Sequence, residues 1–174
     1  MSVANTRILA IDPGTREMGV ALLEGGNLVH HGVKTIKNRR SPHEILKEGR
    51  GIIVRLINDF RPGVLVVEKT FFSSKRSALL NVFADDIQAL GKRKGLKVVS
   101  FAPNTVKKFI SGNGRASKEE VAQVIVSKFP ELKVYLTQDR KWKLRYHENM
   151  FDAVALALTA IGLQQATHAR QKTV

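Results

Sequence analysis

The chain has 174 residues, of which 29 are Lys or Arg and 15 are Asp or Glu, so its formal charge is +14 at pH 7. This length suits one domain with a sizeable core and argues against a second full domain. The charge favours polyanionic partners such as nucleic acid. It fits an enzyme that acts on nucleic acid, and it also fits an ordinary basic protein or a ribosome-associated one. Cysteine is absent, which excludes disulfides and thiolate metal sites.

Membrane attachment is not expected from this sequence. The N-terminus has no apolar signal core, and the longest apolar run is too short and too rich in Ala to span a bilayer. We therefore expect a cytoplasmic protein that does not contact a membrane.

The first part of the chain predicts three strands and a helix. Apolar segments at residues 8–12, 19–24 and 28–36 are separated by turns that carry Gly or Asn, a pattern typical of an antiparallel meander. Residues 41–44 then have the sequence Ser-Pro-His-Glu, with an N-cap, a Pro in the first helical position and a Glu in the third. This helix should end near residues 61–63, which are Arg-Pro-Gly.

Two continuous apolar runs, at residues 64–68 and 96–101, have the pattern of strands buried on both faces. A helix predicted over residues 77–94 lies between them, so we expect a parallel pair joined by a right-handed crossover. Three further helices are predicted over residues 105–110, over residues 117–129, and from residue 148 or 149 to residue 163. The elements predict an α/β fold with a five-stranded mixed sheet, three strands antiparallel and two parallel, flanked by helices.

Three acids occupy apolar surroundings in this basic chain. Asp12 and Glu68 each end an apolar strand, and Asp152 lies in the apolar final helix. If the first and fourth strands are neighbours, these acids can converge, and bound cations would relieve their repulsion. Mg²⁺ prefers oxygen ligands and leaves positions for water or phosphate, which suits phosphodiester hydrolysis. The pattern favours a Mg²⁺-dependent enzyme that acts on nucleic acid.

Each acid also has an ordinary explanation. Asp12 can be the turn residue of an Asp-Pro-Gly sequence, and Glu68 can be a strand end in solvent. Asp152 would be the third residue of a helix capped by Asn149, where free backbone amides stabilise a carboxylate. Only the three acids together indicate a site.

Four segments together resemble the RuvC family of Holliday-junction resolvases. They are residues 8–20, 66–71, 112–118 and 152–157. The resemblance extends from residue 7 to residue 162 and implies a ribonuclease-H-like fold, a homodimer, and cleavage of paired strands at a four-way DNA junction. It further implies two Mg²⁺ ions per active site, with Mn²⁺ as an alternative ion, and makes a branch-migration motor a candidate partner.

The resemblance assigns metal-binding roles to several acids. Three of the family's four acids have a match here, at Asp12, Glu68 and Asp152. The fourth, three residues before the last Asp, is replaced by Asn149. Glu148 is our preferred substitute because it lies one helical turn before Asp152, on the same face. His147 and Asn149 are the alternatives.

The resemblance also implies contacts with DNA. Phe71 matches an aromatic residue that packs on bases at the opened junction, although it could instead belong to the core. Lys107 and Lys118 match basic residues near the scissile phosphate, where a cation stabilises developing charge, and Lys118 is also a candidate catalytic residue. Either lysine could instead be a solvated surface residue. Arg115, in the loop before Lys118, is a further candidate for DNA contact.

Residues 132–146 are longer than the family pattern at this point and have no clear periodicity. We treat them as an insertion within a single nuclease domain over residues 1–174. The domain ends in a basic tail (164–174), of which residues 167–174 are expected to fray. The insertion interleaves basic and aromatic side chains, and Lys141 and Arg145 are our candidates there for nucleic-acid contact. An exposed hairpin with a solvated face is the alternative.

The sequence thus predicts a Mg²⁺-dependent, structure-selective endonuclease that resolves four-way junctions in DNA recombination and repair. Two alternatives stay open. One is a related ribonuclease-H-like nuclease with another substrate, such as pre-ribosomal RNA or branched DNA. The other is a junction-binding protein that has lost cleavage through the change at Asn149. If the chain dimerises, the helix over residues 77–94 is our expected interface.

Overall fold

The computed structural model describes residues 6–37, 40–69, 75–137 and 141–171, without the side chains of residues 75–77, 141–145, 168, 170 and 171. In chain order the strands and helices are β1 (Arg7–Asp12), β2 (Glu17–Glu24), β3 (Asn27–Thr35), α1 (Pro42–Phe60), β4 (Val64–Glu68), α2 (Lys75–Arg93), β5 (Lys97–Phe101), α3 (Pro103–Ser111), α4 (Lys118–Lys128), a 3₁₀ turn (Pro130–Leu132), α5 (Lys133–Leu136) and α6 (Lys141–Gln171).

The five strands form one mixed sheet in the order β3-β2-β1-β4-β5. β2 pairs antiparallel with both β1 and β3, whereas β4 lies parallel to β1 and β5 lies parallel to β4. The predicted sheet of three antiparallel and two parallel strands is confirmed. α2 connects β4 to β5, as a parallel pair requires.

Helices cover both faces of the sheet, because alternate residues of each strand point to opposite sides. On one face, Ile8 and Ala10 of β1 belong to a core shared with α3, α4 and α6. On the other face, Leu9 and Ile11 belong to a core shared with α1 and α2, which includes Phe83. The central strands are therefore buried on both faces, and this burial explains their continuous apolar sequences.

Two predicted helix starts are confirmed. The Ser41 hydroxyl accepts a hydrogen bond from the backbone N–H of Glu44 at 3.2 Å and caps α1. Ser117 and Glu120 form a capping box at α4, since each side chain accepts a hydrogen bond from the backbone N–H of the other, at 3.1 and 2.6 Å. This cap fixes the position of Lys118, the first residue of α4.

The last helix is longer than predicted at both ends. α6 begins at Lys141, so the prediction that it starts at residue 148 or 149 is wrong, and Asn149 is not a helix cap. The helix continues to Gln171, so the predicted end at residue 163 is wrong; residues 172–174 lie outside the described part of the chain. The expected fraying of the tail stays a prediction. Residues 164–171 are rich in Gln and Ala, which favour helix without tertiary contacts.

The predicted insertion over residues 132–146 does not form an exposed hairpin in its described part. It includes the end of the 3₁₀ turn, α5 and the start of α6, and Leu132 is fully buried. The apolar residues of this segment follow no single periodicity because the segment is divided among the 3₁₀ turn, α5 and the start of α6. No helix among the described residues has the length and hydropathy needed to cross a membrane.

Candidate active site

The two central parallel strands bring Asp12 and Glu68 to the same edge of the sheet. Ile11 of β1 pairs with Val67 of β4, so the next residue of each strand stands at the same level. The carboxyl ends of parallel strands are where sites form in open α/β sheets. Asp12 is only 8% exposed, and Glu68 is partly exposed.

α6 adds two more carboxylates to this edge. Glu148 and Asp152 are one helical turn apart, so their side chains lie on the same face of α6. The Nζ atom of Lys118 is 2.7 Å from Oδ2 of Asp152 and 3.5 Å from Oε2 of Glu148. Burial lowers the pKa of Lys118, but the charge and hydrogen bond of Asp152, together with Glu148, raise it above its usual value.

Burial and mutual repulsion raise the pKa values of the two strand-end acids. Burial, followed by the charges of Asp152 and Glu68, raises the pKa of Asp12 well above its usual range, and Lys118 opposes the rise. Burial, followed by the charge of Asp152, raises the pKa of Glu68 to about 7 against the opposition of Lys118 and Lys107. Asp12, Glu68 and Asp152 therefore form one electrostatic cluster.

Two cavities adjoin the Lys118–Asp152 ion pair and share Lys118, Val121 and Asp152 in their walls. The first, of about 230 Å³, also includes Glu68 and Lys107. The second, of about 250 Å³, lies on the Glu148 side and is lined mainly by apolar atoms of α4, α5 and α6. The ion pair therefore stands between the two cavities.

The three candidates for the fourth acidic position make different contacts. Glu148 contacts Lys118, as described above. Asn149 donates a hydrogen bond from Nδ2 to the backbone oxygen of Glu17 at 3.1 Å and so holds α6 against β2. The ring of His147 packs on that of Tyr135, with centroids 4.6 Å apart. Glu148 thus lies at the acid cluster, whereas Asn149 fixes the helix to the sheet.

The chemistry of these side chains fits a divalent cation. Carboxylate oxygens are the ligands that Mg²⁺ prefers, and the raised pKa values of Asp12 and Glu68 reflect repulsion that a cation would relieve. In this conformation, however, no three Asp, Glu or His side chains of the described residues are grouped so as to hold a metal ion. The ammonium of Lys118 balances the charge of Asp152.

Comparison with known proteins identifies the family. Residues 8–160 match the family model described as crossover junction endodeoxyribonuclease RuvC. The chain belongs to the RuvC family. The resemblance noted in the sequence is confirmed, and so is the predicted class of enzyme, a nuclease.

Individual RuvC proteins are similar over much of the chain. RuvC of Myxococcus xanthus is 34% identical over 125 residues, which cover 68% of this chain and 65% of the relative. RuvC of Prochlorococcus marinus subsp. pastoris is 30% identical over 160 residues, which cover 89% of this chain and 96% of the relative. Thermus thermophilus RuvC, solved in complex with a Holliday junction substrate, has the same fold, with a TM-score of 0.72 at 22% identity over 94% of this chain and 98% of that one.

Two of the residues that the RuvC resemblance assigns to DNA contact lie beside the acids. Lys107 and Lys118 line the same cavity as Glu68. Arg115 is exposed in the loop between α3 and α4, where its backbone N–H donates to Asn113 Oδ1 at 2.9 Å. Phe71 lies outside the described residues, as do the side chains of Lys141 and Arg145, so their roles stay predictions.

A cluster of rings beside Glu148 was not predicted from the sequence. The ring of Tyr135 in α5 lies 5.6 Å from that of His31 in β3 and 4.6 Å from that of His147 in α6. The ring of Tyr146 packs edge-on against His147 at 5.2 Å. These contacts join α5 and α6 to strand β3. The sequence marks Tyr135 as an aromatic in a basic segment, but no local pattern links it to His31.

Proposed function

We propose that this RuvC-family chain resolves four-way DNA junctions by Mg²⁺-dependent cleavage of paired strands. The observation that carries the proposal is the cluster of Asp12, Glu68 and Asp152 beside Lys118, in a chain with formal charge +14. Acids concentrated at one point of a basic protein suit metal-assisted hydrolysis of a phosphodiester. The names of the relatives and the junction bound by T. thermophilus RuvC support the same substrate.

Asp12, Glu68, Asp152 and Glu148 would hold the metal ions, which we take to be two Mg²⁺ per site with Mn²⁺ as an alternative. When bound, such ions supply Lewis-acid polarisation of the phosphate and an activated water. The raised pKa values of Asp12 and Glu68 support this assignment. A nearby cation favours the ionised form of a buried carboxylate. It would therefore offset the rise in pKa that burial causes in Asp12 and Glu68.

Basic side chains would position the DNA at the acid cluster. Lys107 and Lys118 line the same cavity as Glu68, and an ammonium group there stabilises charge that develops on the phosphate. Lys118 would have to exchange Asp152 for a phosphate oxygen on binding.

Further contacts with DNA are proposed for four other side chains. Arg115, Lys141 and Arg145 would bind the DNA backbone, which carries most of the affinity of such complexes. Phe71 would stack on bases of the opened junction. Replacement of Phe71 by Ala should then impair intact junctions more than substrates whose bases near the crossover are already unpaired.

A homodimer would match two active sites to a junction of near two-fold symmetry. We place its interface on α2. Phe83, Ile87 and Leu90 of this helix are buried in the chain's own core, whereas Val82 is 51% exposed and can contact a partner. Val82→Glu should therefore shift the protein towards monomer in light scattering. A parent protein that is monomeric yet cleaves both strands would contradict the dimer.

We propose that the whole chain works as one nuclease domain, because α6 packs on β1, β2, β3 and β4. The relatives are bacterial, which supports action in the cytoplasm, where bacterial DNA lies. A branch-migration motor is a candidate partner.

The test compares cleavage of a four-way junction, a plain duplex, a flap and a structured RNA in Mg²⁺. We expect the junction to be cut fastest and at paired positions. Asp12→Asn, Glu68→Gln and Asp152→Asn should each abolish cleavage but leave junction binding close to the parent value, because basic residues supply the affinity. Asp59→Asn is the matched control, since Asp59 is exposed on α1.

The other outcomes distinguish the alternatives. Junction binding without cleavage by the parent protein would support a binding protein impaired by the change at Asn149. Faster cleavage of structured RNA or of the flap would support a related nuclease with another substrate. A parental rate in any one of the three acid variants would remove that acid from the site.

A further inference from the structure

Strand β5 forms one edge of the sheet, and among the described residues no strand lies on its outer side. The backbone N–H of Lys97 donates to the carbonyl of Gly63 at 3.1 Å, and the N–H of Lys69 donates to the carbonyl of Phe101 at 2.8 Å. Hydrogen bonds of a parallel pair use alternate residues of each strand, so Lys97, Val99 and Phe101 bond to β4. The two residues between them direct their backbone groups away from the sheet.

These outward groups are the N–H and C=O of Val98 and Ser100. Within the described part of the chain, the backbone hydrogen bonds of turns, loops and caps do not involve them. Such an edge can pair with a further strand. The other edge strand, β3, is less suitable, because a register shift between Leu22 and Leu23 of β2 interrupts its ladder, and irregularities of this kind hinder edge pairing. β5 is therefore the edge that can accept a strand.

A groove of about 290 Å³ lies beside this edge, between β5 and α6. Val99 and Phe101 line it from the strand, and Ala160 and Leu163 line it from the helix. Leu163 is 39% exposed, which leaves an apolar surface in contact with water. Successive side chains of an added strand would point to opposite faces of the sheet, so every second one would lie over this groove. The groove thus favours an occupant with apolar residues at alternate positions.

A basic cluster lies at the start of β5. Lys92 and Arg93 end α2, Lys94 follows them, and Lys97 begins the strand. All four are exposed, and the ion pairs of the described residues involve other side chains. Complementary charges favour association and fix its register. The occupant should therefore carry acidic residues at the end that lies beside Lys97.

We propose that β5 and this groove dock a segment of a partner protein, which adds to the five-stranded sheet as a further strand. Its apolar side chains cover the groove, and its acidic residues contact the basic cluster. DNA is a poorer occupant because it has no alternating N–H and C=O groups to continue the ladder. A second copy of the chain is also poorer, because each copy has a formal charge of +14 and would bring its own basic cluster. The surface goes beyond the proposed function, since none of its residues belongs to the acid cluster.

The first test asks whether the edge is open and whether a peptide closes it. Amide hydrogen exchange is measured by NMR on the full chain, with the synthetic peptide Glu-Glu-Val-Thr-Val-Thr-Val as the probe. Without peptide, the amides of Val98 and Ser100 should exchange fast, whereas that of Val99 should be protected by its bond to β4. When the peptide occupies most of the protein, exchange of the two edge amides should slow about tenfold, because only the unbound fraction exchanges.

The second test separates strand pairing from charge attraction. Affinity for the labelled peptide is measured by fluorescence anisotropy. Ser100→Pro removes one outward N–H at an edge position where Pro is tolerated, and it should weaken binding about tenfold. Leu163→Lys places a charge in the groove and should also weaken binding, so the test remains decisive if Ser100→Pro does not fold. Val29→Lys is the matched control, because Val29 is 54% exposed on the opposite edge strand.

Two altered peptides complete the comparison. Replacement of both Glu by Lys should abolish binding because the basic cluster then repels the peptide. Methylation of the backbone nitrogens that face β5 should also abolish binding, since it removes the donors and leaves the charge unchanged.

Several results would overturn the docking surface. One is the absence of binding by the Glu peptide, and another is equal affinity of the parent, Ser100→Pro and Leu163→Lys proteins for it. Protection of Val98 and Ser100 in the free protein would show that the chain itself covers the edge, and protection that grows with protein concentration would assign the edge to a second copy. Slower exchange of these two amides with duplex DNA but not with the peptide would assign it to nucleic acid. Loss of junction cleavage alone would instead reject the proposed function and leave this surface intact.

Discussion

The Nζ atom of Lys118 lies 2.7 Å from Oδ2 of Asp152, so an ion pair joins the first residue of α4 to α6 at the acid cluster. The same ammonium lowers the pKa values of Asp12 and Glu68, opposing the effects of burial and repulsion. Lys118 therefore acts as the counter-charge of a cluster whose members would otherwise repel one another more strongly.

Replacement of Lys118 should affect both chemistry and stability. Lys118→Met is expected to lower the single-turnover cleavage rate by about 10²-fold, the usual effect of removing one group that stabilises developing charge. In EDTA it should also lower the melting temperature, because the acids lose their counter-charge. Lys128→Met, at the exposed far end of α4, is the control. A parental cleavage rate for Lys118→Met would exclude a role for this lysine in the chemistry.

Glu148 and Asn149 should respond differently to substitution. Glu148→Gln is expected to raise the Mg²⁺ concentration needed for half-maximal cleavage, because a charged oxygen ligand is lost. Asn149→Ala removes the hydrogen bond to Glu17 and should lower the free energy of unfolding by about 1 kcal/mol without changing the Mg²⁺ requirement. Mg²⁺ titrations of cleavage and urea unfolding measure the two effects. The opposite pattern would move the fourth ligand to Asn149.

The metal-free protein should become less stable as the pH rises. The pKa of Glu68 is about 7 in the folded chain, against 4.5 as its ordinary value, so between these values the folded state keeps a proton that the unfolded state releases. The free energy of unfolding should therefore fall as pH increases from 4.5 towards 7. Urea unfolding in EDTA measures the slope, which Glu68→Gln should reduce and Asp59→Asn should not. An identical slope in Glu68→Gln would assign the effect to other groups.

Gly19 permits the close approach of β2 and α6. A Cβ at this position would overlap the backbone oxygen of Asn149, so Gly19→Ala requires the helix to shift. We expect a loss of about 1–3 kcal/mol in the free energy of unfolding, typical of overpacking, and slower cleavage because α6 carries Asp152. Gly51→Ala is the control: a Cβ there meets no atom within 4 Å, and Ala should stabilise α1 slightly. Equal stability of the two variants would contradict this role of Gly19.

The fold could be predicted where local sequence determines structure. Continuous apolar runs identified β1 and β4 because both faces of the sheet are covered, and the capping residues Ser41 and Ser117 located the starts of α1 and α4. The start of α6 was not predictable in the same way. Its first turns lack a strong apolar face, and the ring of His147 there packs on Tyr135, which lies in another element.

Part of the site was also predictable, because local sequence determines where β1 and β4 end. Asp12 and Glu68 follow apolar strands, so their place at one edge follows from parallel pairing. The contact of Lys118 with Glu148 and Asp152 depends on how α4 packs against α6, and that packing has no signature in the linear sequence. The cavity on the Glu148 side has no such signature either, because three separate helices supply its wall.

α6 is synthesised after every other described element, yet it covers β1, β2 and β3 and carries Asp152. While the ribosome still holds this segment, one apolar face of the sheet lacks its cover, and the nascent chain lacks an acid of its cluster. Contacts between segments so distant in sequence form late in folding. Translation therefore has to pass α6 before the acid cluster is complete, and an interrupted product would lack Asp152.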